Sequence, residues 1–66
     1  MPEIGDRVRI VYRDGRKIEG ILRKYYPEEF PWLVIQIELD NGERRKVCVN
    51  NTEVLFCETI SLIRGD

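Results

Sequence analysis

From Arg7 onward, polar and apolar positions alternate along the chain. Val8, Ile10 and Tyr12 interleave with Arg7, Arg9 and Arg13, the period-2 pattern of a half-buried β-strand. Asp14-Gly15 predicts a hairpin turn, since glycine adopts positive φ at little cost. In the strand that follows, Ile18, Gly20 and Leu22 share one face, and Ile21, Arg23 and Tyr25 the other. Pro27 and Pro31 bracket Glu28-Glu29-Phe30 and bar that segment from a central strand, so it is read as a connecting loop. A third strand places Leu33, Ile35, Ile37 and Leu39 inward and Val34, Gln36, Glu38 and Asp40 outward, and Asn41-Gly42 turns it into a fourth. The fourth runs from Arg44 to Asn50 with Val47 and Val49 on the core side; Asn50-Asn51-Thr52-Glu53 predicts a turn or a single 3₁₀ turn. A fifth strand starts at Val54, with Val54 and Phe56 inward and Ile60 and Leu62 extending it, and Arg64-Gly65-Asp66 are expected to fray.

No segment carries an apolar stripe at helical spacing of useful length, and repeats and linkers are absent. The reading is therefore all-β: one domain over residues 1–66, with five short strands curling into a small closed barrel that leaves no exposed sheet edge. Gly20, inside the second strand, weakens it unless a sharp bend needs a residue without a side chain. It marks that strand as strongly bent.

A chain of 66 residues lies near the lower limit at which one core supports folding, so self-association is an expected source of added burial. Charge changes the picture further. The net charge is only −1, but Arg7, Arg9, Arg13, Arg16, Lys17, Arg23 and Lys24 outweigh the acids before Pro27, and acids prevail after it. With charged residues at 35%, the balance would suit a heat-adapted organism. There is no histidine, and Cys48 and Cys57 sit in no metal-ligand spacing, so neither a metal nor a cofactor is expected. Signal-peptide and membrane-spanning patterns are missing from the sequence, which leads to a cytoplasmic expectation with no membrane partner.

Catalysis is not expected either. Ser61 is the single serine and has no base partner in the pattern, and Glu28-Glu29 read as a solvated loop pair rather than an acid/base pair. Two features could bind a macromolecule. Arg7, Arg9 and Arg13 on one face of the first strand, Arg16 and Lys17 at its turn and Arg23 on the second strand would form a basic patch for phosphates, or would pair with acids across the sheet. Tyr25, Tyr26, Phe30 and Trp32 would supply a stacking platform for bases or a groove for an extended peptide; alternatively, Phe30 and Trp32 plug one end of the barrel, the role favoured for Trp32. If residues 51–53 turn as a hairpin with its tip at Thr52-Glu53, Cys48 faces Cys57 and a disulfide becomes possible, although packing as small residues is favoured.

Asp14-Gly15-Arg16-Lys17-Ile18-Glu19-Gly20-Ile21-Leu22, followed by Tyr25, resembles the first motif of the Sm-like (Lsm) family and its SH3-like relatives. There an Asn-Gly or Asp-Gly turn precedes a bent strand that reads Gly-x-Leu and ends in an aromatic. The alternating strand Leu33–Leu39 fits as well, and Gly5-Asp6-x-Val8 resembles the opening of many SH3-like barrels, KOW-type modules among them. The resemblance implies a five-stranded SH3-like (Sm-like) barrel, RNA as ligand and assembly through strand edges. It does not carry the family's uridine site: Tyr26–Trp32 lacks the Asp and Asn of the family's first loop, and Asn50-Asn51 stand where Arg-Gly is expected. Arg64-Gly65 comes after the last predicted strand. The combined expectation is a non-enzymatic module. It contacts RNA or other nucleic acid through Arg7, Arg9, Arg13, Arg16, Lys17, Arg23 and Tyr25, with loop contacts from Tyr26, Phe30, Asn50 and Asn51, and forms a homo-oligomer through residues 47–63. The alternative is a protein–protein interaction or structural homo-oligomeric module with no nucleic-acid ligand.

Overall fold

The computed structural model describes residues 1–60. Five strands form in chain order, β1 (Arg7–Tyr12), β2 (Lys17–Tyr25), β3 (Val34–Glu38), β4 (Arg44–Cys48) and β5 (Val54–Thr59), with one 3₁₀ turn, η1 (Pro27–Glu29), between β2 and β3. All pairings are antiparallel, in the order β4-β3-β2-β1-β5. The all-β, five-stranded expectation holds, but the ladder does not close: β4 and β5 are opposite edges of one sheet. Val47 of β4 and Val54 of β5 nevertheless lie in a single buried cluster with Val8, Ile10, Leu22, Ile35 and Ile37. A sheet whose two edge strands share a core must curl strongly, which gives a barrel-like form without the fifth hydrogen-bonded seam that would close it.

The two glycine turns form as the dipeptides predict. Gly15 and Gly42 have φ of 95° and 87°, and the side chains of Asp14 and Asn41 each accept a hydrogen bond from the backbone N–H two residues on, at 2.9 Å. Gly20 is required for a different reason. A Cβ there would stand 2.5 Å from the carbonyl oxygen of Glu38, so β2 and the end of β3 approach too closely for any side chain.

Two one-residue irregularities change which way side chains point. Between Leu22 and Lys24 the β2–β3 register slips, leaving Arg23 as a bulge; Tyr25 then turns inward opposite Ile35 and Lys24 outward opposite Gln36. Tyr25 was expected on the face of Ile21 and Arg23, and the bulge corrects that. The β1–β5 register slips in the same way, with Tyr12 opposite Val54 and Val11 opposite Phe56. The residue left over is Leu55, so Cys57 faces the core opposite Ile10, while Phe56, expected inside, stands outside and 45% exposed. Val34, on the outer face as expected, is buried there at 6% exposure. Leu62 and Arg64-Gly65-Asp66, about which the sequence made predictions, lie outside the described residues.

The edge positions of β4 and β5 also remove the hairpin that would bring Cys48 to Cys57. Both are free thiols; Cys48 sits opposite Val34 and Cys57 opposite Ile10. Burial pushes the Cys57 thiol pKa up.

Candidate functional site

The arginines of the predicted basic face are on the outer surface, but acids are interleaved with them. Glu19 faces Arg9 across β1–β2, and Glu58 faces it across β1–β5. Accordingly Arg9 donates to Glu19 at 2.9 Å and to Glu58 at 3.0 Å. Arg7 reaches Glu19 at 3.7 Å and both oxygens of Asp40 at 3.1 and 3.2 Å. The hydrogen bond from Arg7 holds the Asp40 carboxyl below its ordinary range. At the bulge, Arg23 pairs with Glu38 at 3.2 Å, and Arg44 shares the same carboxylate at 3.1 Å. Arg16 pairs with Asp14 at 2.9 Å and lies 4.4 Å over the Tyr12 ring. Arg13 and Lys17, both exposed, join no ion pair among the described residues. The result is a ladder of alternating sign, which attracts a polyanion far less than a basic patch does.

A different surface gathers cations with little competing acid. Lys24, Gln36 and Lys46 occupy one row across β2, β3 and β4, because the Arg23 bulge turns Lys24 outward. Tyr26 lies over this row: its ring centroid is 4.7 Å from the Lys24 ammonium and 4.5 Å from that of Lys46. Its hydroxyl accepts from the Gln36 amide at 3.3 Å, and the Gln36 carbonyl accepts from Arg44 at 3.0 Å. Two carboxylates border the row: Glu29, 3.5 Å from Lys46, and Glu38, 3.1 Å from Arg44.

Beside this row, the η1 loop holds two large aromatics out from the body. Phe30 is 85% and Trp32 54% exposed, so neither plugs the barrel. That end of the core is occupied by Tyr25, Leu33, Val49 and Cys57, all packed against the buried cluster. The loop is held in place by Asn50, whose side chain accepts from the Leu33 N–H at 2.8 Å and donates to the Pro31 carbonyl at 3.1 Å. Trp32 separates two shallow hollows. One, of about 310 Å³, runs between Tyr26, Pro27 and Phe30; the other, of about 400 Å³, reaches Lys46, Cys48 and Asn51.

Of the residues singled out from sequence, Tyr26 and Phe30 are at this surface and Asn51 borders it. Asn50 is a loop pin. Tyr25 faces inward and donates its hydroxyl to the Pro2 carbonyl, and burial raises the pKa of its phenol. Lys24, Gln36 and Lys46 were not singled out. Period-2 counting without the bulge places Lys24 on the wrong face, and Lys46 reads as one of three ordinary strand cations. Among the described residues no group of three or more His, Cys, Asp or Glu could hold a metal ion, and no helix is long and apolar enough to cross a membrane. Comparison of the chain with protein-family models, with curated proteins and with solved structures returned no match.

Proposed function

We propose that this chain is a non-enzymatic binding module for single-stranded nucleic acid, RNA foremost, and that the strand lies over Tyr26 and the η1 loop. The observation that carries the reading is the pairing of two exposed aromatics, Phe30 and Trp32, with the two lysines that converge on Tyr26. Exposed rings accept unpaired bases whatever their identity, at about 1–3 kcal/mol per stacked base. Lys24 and Lys46 stand where the adjoining phosphates would pass, with Arg44 beside them already paired to Glu38. A duplex hides its base faces and could use only the charges. The arginine ladder across β2–β1–β5 supplies less, because Glu19, Glu58 and Asp40 already occupy its guanidinium groups. Asn51 borders the platform with a side-chain amide that could favour a particular base edge, so the reading includes weak sequence preference.

Trp32 is the only tryptophan, which makes its fluorescence a direct probe of the site. Titration with oligouridylate and oligodeoxythymidylate at low salt should quench it saturably. Affinity should fall as salt rises, with a log–log slope near −0.7 for each phosphate neutralised, and hence a shallow slope overall for two or three cations. Duplex of equal length should quench weakly. The absence of quenching by any single strand at low salt would overturn the reading, and quenching by a proline-rich peptide alone would put a protein partner in its place.

A further inference from the structure

The two edges of the sheet differ in a way that bears on assembly. The β4 edge reads Arg44-Arg45-Lys46, three consecutive cations, a composition that discourages another strand from adding to it. The β5 edge reads Val54-Leu55-Phe56-Cys57-Glu58-Thr59 and contains no cation. Among the described residues β5 pairs with β1 alone, so its other side offers unused backbone donors and acceptors. At its centre, Leu55 and Phe56 are 49% and 45% exposed. The bulge at Leu55 is what turns Phe56 outward, next to Val11, which is only 8% exposed on that same outer face. An apolar, cation-free edge of six residues is a template for another strand.

We propose that two copies of this chain pair through β5, antiparallel about a two-fold axis at Phe56. In that register Phe56 meets the partner's Phe56, Leu55 meets the partner's Cys57 and Val54 meets the partner's Glu58, so both copies bury the same apolar centre. Charge selects the second copy as occupant. Glu58 is the only ionised residue of the strand, and Arg9 of its own chain already pairs with it. The two Glu58 positions fall four residues apart along the seam, roughly 14 Å at about 3.4 Å per residue, beyond the Debye length of about 8 Å at physiological salt. Pairing β4 with β4 would instead set three cations against three, about 5 Å apart across the ladder. Pairing β5 with β4 would leave Leu55 and Phe56 beside that cationic strand. The inference stands independently of the nucleic-acid reading, since Tyr26 and the η1 loop adjoin β3 and β4, away from this edge.

A six-residue seam is smaller than a standard protein interface, so the dimer should be weak and concentration-dependent. Sedimentation equilibrium across a wide concentration range should show the mass rising to twice that of the monomer and stopping there. Phe56→Glu, verified as folded by near-UV circular dichroism, should abolish the rise. Because that variant could fail to fold, a second test uses disulfide trapping in a Cys48→Ser/Cys57→Ser background. Phe56→Cys should form a covalent dimer under mild oxidation, whereas Lys46→Cys on the β4 edge should not. The proposal is overturned by a monomer at every concentration, by species larger than a dimer, by trapping through Lys46→Cys, by no trapping through Phe56→Cys, or by a folded Phe56→Glu that still associates.

Discussion

Replacing Gly20 tests the close approach of β2 to the end of β3. Glycine inside a strand ordinarily costs about 0.5–1 kcal/mol relative to alanine, so with free space Gly20→Ala would stabilise the protein. Here the added Cβ would sit 2.5 Å from the Glu38 carbonyl oxygen and 3.0 Å from its carbon, with Leu39 Cδ2 farther off at 3.4 Å. The obstacle is backbone, and Glu38 is held opposite Ile21 in the β2–β3 ladder, so it cannot rotate aside as a side chain would. Relief requires the two strands to separate by most of an ångström. Overpacking of that kind costs about 1–3 kcal/mol, which exceeds the propensity gain and leaves a net loss of about 1–2 kcal/mol. For a domain of this size the melting temperature should fall by roughly 5–15 °C. Thermal and urea unfolding followed by circular dichroism measure the effect, and Gly20→Val should lose more than Gly20→Ala. Adding Leu39→Ala should not rescue the alanine variant, because the leucine is not the group in the way. A Gly20→Ala protein as stable as the parent, or one rescued by Leu39→Ala, would refute the argument.

Phe30→Ala should leave the melting temperature nearly unchanged, as expected for so exposed a side chain, yet weaken single-strand binding by a stacking increment of about 1–3 kcal/mol, read from Trp32 quenching. Arg9→Gln should change that binding less than Lys46→Gln does, because Arg9 is already engaged by Glu19 and Glu58; equal losses would restore the arginine face as the binding surface. Asp40 and Glu43 are held below their ordinary pKa values by hydrogen bonds from Arg7 and Arg45, and Asp14 chiefly by the backbone N–H of Arg16. Depressed carboxyls bind fewer protons folded than unfolded, so their contribution is present above the ordinary carboxylate range and lost as pH falls through it towards the folded values; urea midpoints should decline on acidification, and Arg7→Gln should flatten the decline. Thiol titration of the unfolded protein should count two free cysteines per chain, and in the folded protein Cys57 should react more slowly than Cys48 because burial raises its pKa.

The local features were legible along the chain because their causes are local. Asp14-Gly15 and Asn41-Gly42 turn where the backbone needs positive φ, and the alternation around Val8, Ile10, Ile35, Ile37 and Val47 marks the buried face of each strand. Gly20 could be flagged as a bend from sequence; the atom that demands it, a carbonyl on β3, could not. What depends on pairing was decided only in three dimensions. A bulge adds a single residue and reverses every side chain beyond it, and no pattern in Leu22-Arg23-Lys24 or Val54-Leu55-Phe56 announces it. Those two reversals turned Tyr25 and Cys57 inward and sent Lys24 and Phe56 out, thereby building both the cation–aromatic surface and the apolar edge. Strand order settled the rest. With β4 and β5 at opposite edges, Cys48 and Cys57 are kept apart, and Glu19 and Glu58 flank Arg9, so a run that is basic along the chain becomes a balanced ladder across the sheet. Charge along a strand is a property of sequence, but the charge facing it comes from neighbours distant in sequence, and tertiary pairing alone brings them together.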